Sequence, residues 1–111
     1  MSQITVSNQE NYKVLKLSGQ FIGGEETDTL RDEIKNLTEQ NSKKIIIDLE
    51  KVTYLNSLAL GALISGHANI ARKNGKLVIC NVSGNLNNIF TITKLYMVLH
   101  IVKTTEDAIK F

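Results

Sequence analysis

Polar and apolar residues alternate in "ITVSN" (4–8) and again in "YKVLKLSG" (12–19), the period of a half-buried strand. "NQEN" between them supplies turn-forming residues, so the chain predicts an opening hairpin. The period then lengthens. In "GQFIGGEETDTLRDEIKNLTEQN", Leu30, Ile34 and Leu37 recur at spacings of four and three and share one face of a helix. Glu25, Glu26 and Asp28 crowd its first turn, where carboxylates meet the positive end of the helix dipole. Gly23 and Gly24 let the chain bend into it.

"KKIIIDL" follows, with three β-branched residues in a row, which predicts a strand buried on both faces inside a parallel sheet. From residue 57 the pattern turns helical, with Leu60, Leu63, Ile64 and Ala71 as the stripe expected to face the sheet. Asn74-Gly75 ends that helix, both residue types tolerating a left-handed cap. "KLVICNV" reads as the next strand. "SGNLNNIFTITKL" reads as a helix with Ser83 as cap and Leu86, Ile89 and Phe90 inward. "MVLHIV" reads as a last strand, and "TTEDAIKF" as a short helix with Thr104 and Asp107 near the spacing of a capping box.

The order β-β-α-β-α-β-α-β-α predicts one α/β domain over residues 1–111, with a mixed, mainly parallel sheet of about five strands and four helices. Connections are short and proline is absent, so no linker is expected. Apolar residues make up 42% and charged residues 22%, the balance of a globular protein. The net charge of +2 comes from 13 basic and 11 acidic side chains scattered along the chain. That offers no basic track and few aromatics, which argues against direct binding of nucleic acid. No stretch approaches the roughly 18 apolar residues of a membrane span, and "MSQITVSNQEN" has no signal-sequence pattern. The expected address is the cytoplasm. Cys80, the single cysteine, lies in an apolar strand and reads as a buried reduced thiol. No metal-ligand spacing and no phosphate-cradling glycine loop is present, so no cofactor is expected.

"YLNSLALGALISG" (54–66) carries the candidate chemistry. Asn56 is a strong N-cap residue, which puts Ser57 at the first helical position, near unpaired N–H groups. Ser57, Gly61 and Ser65 then form a small-residue face that allows close approach. Four readings of this site compete. Ser57 is a helix-start residue with no further role, or a nucleophile, or a modification site; alternatively Asp48 is the reactive group. A nucleophile needs a base within hydrogen-bond reach. His67 lies about 15 Å further up the same helix, His100 sits in a predicted strand, and the G-x-S-x-G elbow is absent. Asp48, at the predicted end of a central strand with Lys103 after the last one, parallels the phosphoacceptor of receiver domains. The acidic pair needed to hold a divalent cation is missing. Phosphorylation of Ser57 fits its position, because a helix N-terminus stabilises a phosphate while its charge disturbs a docked partner, and the plain helix-start reading stays open beside it.

"KKIIIDLEKVTYLNSLALGALI" followed by "ARKNGKLVICNVSGNLNNIFTITKLYMVLHIVKTTEDAIKF", with the earlier "VLKLSGQFIGG", resembles a STAS domain of the anti-sigma factor antagonist type over nearly the whole chain. The resemblance implies a βα superhelix that is not itself an enzyme. It implies phosphorylation at Ser57 by an anti-sigma factor that is also a serine kinase, reversed by a phosphatase. It further implies that the dephosphorylated form binds the anti-sigma factor and frees the sigma factor. The docking surface so implied comprises Asn56, Ser57, Leu58, Ala59 and Gly61, with Gly23 and Gly24 nearby. The family usually has aspartate before the serine and small residues after it, where this chain has Asn56, Leu58 and Ala59. The other reading of the same resemblance is an unphosphorylated STAS interaction module inside a larger signalling or lipid-transport assembly.

Overall fold

The N-terminal alternation becomes β1 (Gln3–Asn8), paired antiparallel with β2 (Lys13–Phe21) from Gln3 opposite Ser18 to Asn8 opposite Lys13. The structure, a computed structural model, describes residues 3–111; Met1 and Ser2, part of the N-terminus read above, lie outside it. After the hairpin come α1 (Gly24–Glu39), β3 (Lys44–Leu55), α2 (Ser57–Ala71), β4 (Lys76–Cys80), α3 (Gly84–Ile92), β5 (His100–Ile101) and α4 (Thr105–Lys110). The five strands form one sheet in chain order, and every pair after the hairpin is parallel. This is the five-stranded, four-helix α/β architecture that the periodicity predicts.

The run Ile45-Ile46-Ile47 shows why the sheet is covered on both sides. Ile45 and Ile47 join Leu15, Leu17, Leu77 and Ile79 under α1, α2 and α3, where Leu30, Ile34, Leu63 and Phe90 meet them. Ile46 points the other way, with Val14, Val78 and Cys80, onto Ala108 of α4. All three isoleucines are fully buried. A strand with two apolar faces has no other stable place than the middle of such a sandwich. Cys80 is buried as expected, and burial pushes its thiol up to about 11.

Four sequence expectations need correction. "MVLHIV" gives only a two-residue strand; Leu95–Met97 is a 3-10 turn, and Met97 and Val98 stand exposed. Lys94, at φ 60°, turns the chain left-handed just before it. β3 runs six residues past "KKIIIDL" to Leu55, because register shifts against β2 give its second half a spacing of three, as at Val52 and Leu55. Asp48 therefore sits within β3 rather than at its end. Its Oδ1 accepts from the Glu50 N–H at 3.0 Å and from Asn81 Nδ2 at 3.0 Å. The same Asn81 amide donates to Thr105 Oγ1 at 3.0 Å, so the aspartate ties β3 to α4 and the receiver reading fails. Finally, Ala71 is exposed; the inward stripe of α2 is Ala59, Leu60, Ala62, Leu63, Gly66 and Ile70.

Asn74 adopts the expected left-handed conformation at φ 63°, but Gly75 does not. Gly75 is needed for space: a Cβ there would lie 2.6 Å from Ile70 Cγ1 and 3.0 Å from the Lys43 carbonyl. Gly75→Ala is expected to destabilise the protein by about 1–3 kcal/mol through overpacking. Asn74→Gly should stay within about 0.5 kcal/mol. Urea unfolding of the two variants distinguishes a requirement for room from one for conformation.

At the amino ends of the parallel strands, Lys44 Nζ caps α4 through the carbonyls of Ala108 (3.0 Å) and Ile109 (2.6 Å), and Lys76 Nζ reaches the Phe111 carbonyl at 3.1 Å. Beside them His67 and His100 meet edge to face with centroids 5.1 Å apart, and Phe111 lies against His100 at 4.8 Å. Burial, then His67, then Lys76 hold His100 below its ordinary value of 6.5. The fold favours the neutral ring, so its contribution is complete above about pH 6.5 and is lost as pH falls below that value. Urea midpoints measured from pH 7.5 to 5 should therefore drop, and His100→Phe should flatten part of that drop. An identical pH profile for wild type and His100→Phe would contradict this account.

Candidate functional site

β2 and β3 end side by side, Phe21 opposite Leu55, and the Asn56 N–H donates to the Phe21 carbonyl at 3.0 Å. Both strand ends are anchored by buried side chains, since Phe21 and Leu55 are almost fully enclosed. The chain leaves this point with Asn56 extended (φ −84°, ψ 179°) and α2 begins at Ser57.

Asn56 uses both ends of its amide. Oδ1 accepts from the Ala59 N–H at 2.9 Å, satisfying one of the unpaired donors of the first turn. Nδ2 donates to the Ile22 carbonyl at 2.9 Å, which fastens the loop between β2 and α1 to the tip of α2. That loop is itself fixed, because the Glu26 carboxylate accepts from the Gly23 N–H at 2.9 Å. The N–H groups of Glu26 and Gly23 hold the Glu26 carboxyl below its usual range. A Cβ on Gly23 would strike that carboxylate at 2.6 Å, while Gly24 faces open space; neither has a positive φ. Gly23 thus makes room for the Glu26 clasp rather than for an unusual bend.

Ser57 is exposed at the first position of α2, as the sequence predicts. Leu58 beside it is 54% exposed, and Ile22 across the Asn56 bridge is 55% exposed. Gly61 is half-buried, with nothing within 4 Å of where its Cβ would be, and Ser65 is exposed, so the small-residue face is open. Ala59 departs from expectation. It is fully buried in the core under α2, and its methyl cannot contribute to a docking surface. Ile22 was not foreseen; it lies just past Phe21, the buried last residue of β2, and its side chain turns outward. His67 and His100 sit against each other about 15 Å along α2 from Ser57, so no imidazole reaches its hydroxyl. The arrangement presents a free hydroxyl among N–H donors and two exposed apolar side chains.

A family profile for the STAS domain matches residues 3–108. The chain belongs to the STAS domain family. Among relatives of this STAS domain, a Staphylococcus aureus protein named anti-sigma-B factor antagonist is 23% identical over 103 residues, covering 93% of this chain and 94% of the relative. The crystal structure of an anti-sigma factor antagonist from Mycobacterium paratuberculosis superposes with a TM-score of 0.87 at 19% identity, covering 99% of this chain and 92% of that one. The Bacillus cell fate determinant SpoIIAA, solved in its phosphorylated form, gives a TM-score of 0.75 at 18% identity, with 97% of each chain covered. No helix among the described residues of this STAS domain is long and apolar enough to cross a membrane.

Asn56→Ala removes the cap and the loop bridge together, and is expected to cost about 1–2 kcal/mol. Asn56→Asp keeps the acceptor and loses the donor to Ile22, so it should recover only part of that loss. Chemical unfolding of the two variants checks this; equal stability of wild type and Asn56→Ala would contradict the bridging role.

Proposed function

We propose that this STAS domain is an anti-sigma factor antagonist switched through Ser57. The unmodified protein docks the α2 tip onto an anti-sigma factor, which releases its sigma factor. That partner also acts as a serine kinase and phosphorylates Ser57, and a phosphatase restores the hydroxyl. The observation that carries the reading is the exposed Ser57 at the start of a capped, 15-residue helix, with Leu58 and Ile22 exposed on either side. The names of its relatives supply the partner class.

The chemistry follows from position. A phosphoserine brings close to two negative charges and three acceptor oxygens. At the first position of α2 these meet the positive end of the helix dipole and unpaired N–H groups, so the modified fold stays stable. A partner packed over Leu58 and Ile22 would instead have to bury that charge without a counter-ion, which costs several kcal/mol of binding. Asn56, Leu58, Gly61 and the Gly23–Gly24 loop form the surface around the switch. Ala59 contributes through packing beneath it.

The test is incubation of the purified protein with ATP and candidate anti-sigma factor serine kinases. A mass gain of about 80 Da, one phosphoryl group, is expected in wild type and absent in Ser57→Ala. Ser57→Asp should lose binding while its stability stays within about 1 kcal/mol of wild type. A partner that binds tightly yet leaves Ser57 unmodified would remove the switch and leave a constitutive docking module.

A further inference from the structure

Among the described residues, the exposed large apolar side chains gather at the two ends of the sheet. Ile22, Tyr54 and Leu58 belong to the Ser57 end. At the opposite end, where β4 and β5 start side by side, stand Ile92, Tyr96, Met97 and Val98. Ile92 closes α3 and is 81% exposed; Met97, in the 3-10 turn, is 73% exposed. The turn holds them out. Leu95 and Leu99 pack inward, and the Leu95 carbonyl accepts from the N–H groups of Val98 (3.0 Å) and Leu99 (2.8 Å). Tyr96, Met97 and Val98 are left on the outside of that tight loop. Phe111 extends the patch, its ring against His100 at 4.8 Å and under Lys76 Nζ at 5.2 Å.

Charge is segregated to match. From Lys51 to Thr105 the chain has no Asp or Glu; all 11 acidic side chains stand elsewhere. Within that stretch Arg72, Lys73, Lys76 and Lys94 fall at this end of the sheet, and Lys44 and Lys110 join them from β3 and α4. Lys76 stands next to the patch, because Val78 pairs with His100 and the strand starts are level. The carboxylates at this end, Glu10 and Glu39, sit on the β1–β2 turn and at the end of α1, toward the other edge of the sheet. Exposed apolar groups and unopposed cations therefore share one surface.

We propose that this end of the domain rests on an anionic lipid bilayer, with Ile92, Met97 and Val98 inserted among the headgroups and the lysines against lipid phosphates. One apolar turn alone, or a few cations alone, binds a bilayer weakly; together they form the two signals that peripheral attachment needs. Tyr96 suits the same interface, since its ring is apolar and its hydroxyl polar. A bilayer is favoured over an acidic protein on two grounds. The apolar side chains project from a tight turn, placed to enter a soft surface. Apart from Arg72 the cations are lysines, point charges suited to a diffuse anionic layer rather than to a paired grip on carboxylates. In this orientation the Ser57 tip faces away from the membrane, so the proposal is independent of the switch.

The test is co-sedimentation of the full chain with vesicles of phosphatidylcholine, alone or with about a third phosphatidylglycerol. Binding to the anionic vesicles is expected to be at least about tenfold stronger than to the neutral ones, and to weaken with added salt. Ile92→Gln/Met97→Gln and Lys94→Asn/Lys110→Gln should each weaken it at least about fivefold. Their thermal midpoints should stay unchanged, because all four side chains are exposed and asparagine tolerates the left-handed backbone at position 94. The chain has no tryptophan, so Met97→Trp reports insertion directly, as a blue shift of emission with anionic vesicles. Equal binding to neutral vesicles, no binding to either kind, or full binding by both double variants would overturn the proposal. So would an unshifted Met97→Trp emission, or an equal shift with polyglutamate, the mark of a protein-docking face. Self-association that Ile92→Gln/Met97→Gln abolishes would overturn it too, by making the patch a contact between copies.

Discussion

One side-chain amide, that of Asn56, stands between two loops that otherwise share only a strand ending. Its oxygen takes the Ala59 N–H and its nitrogen gives to the Ile22 carbonyl, each at 2.9 Å. A carboxylate in its place would cap the helix equally well but would turn an acceptor toward the Ile22 carbonyl. The asparagine therefore does more than cap the helix. It makes the β2–α1 loop and the α2 tip one rigid surface, with Ser57 held where the helix starts. The switch proposed at Ser57 depends on that joining, since a fraying helix start would absorb added charge by moving.

The rest of the fold holds this tip in place from below. β3 is apolar on both faces, so the sheet is fixed between α1–α3 on one side and α4 on the other. α1 and α2 are drawn together on the same side by the absence of a side chain at Gly66. At their amino ends the same close packing brings the glycine loop beside Ser57. Asp48, Asn81 and Thr105 lock the opposite face. A carboxylate that could be mistaken for a reactive group is thereby used as a clamp.

Periodicity revealed most of this because most of the chain obeys one period at a time. Leu30, Ile34 and Leu37 predict α1 correctly, and Ser83 and Thr104 cap their helices as expected, accepting from Leu86 and Asp107. The misses occur where two rules compete. In the second half of β3, register shifts replace alternation with a spacing of three, so the apolar run that predicts the strand stops six residues short of its end. Met97 and Val98 have the composition of a strand, but the left-handed Lys94 sends them to the surface. At the site, Asn56 and Ser57 were legible from capping and position, and Leu58 only from the family resemblance. The burial of Ala59 was not, because a helix tip exposes some first-turn residues and buries others according to the neighbouring sheet. The second bond of Asn56 depends on a residue 34 positions away, which no local pattern reports.

If one added charge at position 57 undoes docking and leaves the fold intact, affinity and stability must separate cleanly. Calorimetric titration of the anti-sigma factor with protein carrying phosphoserine at position 57, beside unmodified protein, measures the first; thermal unfolding of both measures the second. Affinity is predicted to fall by about a hundredfold or more, close to 3 kcal/mol, with the unfolding midpoint unchanged. Equal affinity for the two forms, or unfolding of the phosphorylated one, would contradict it.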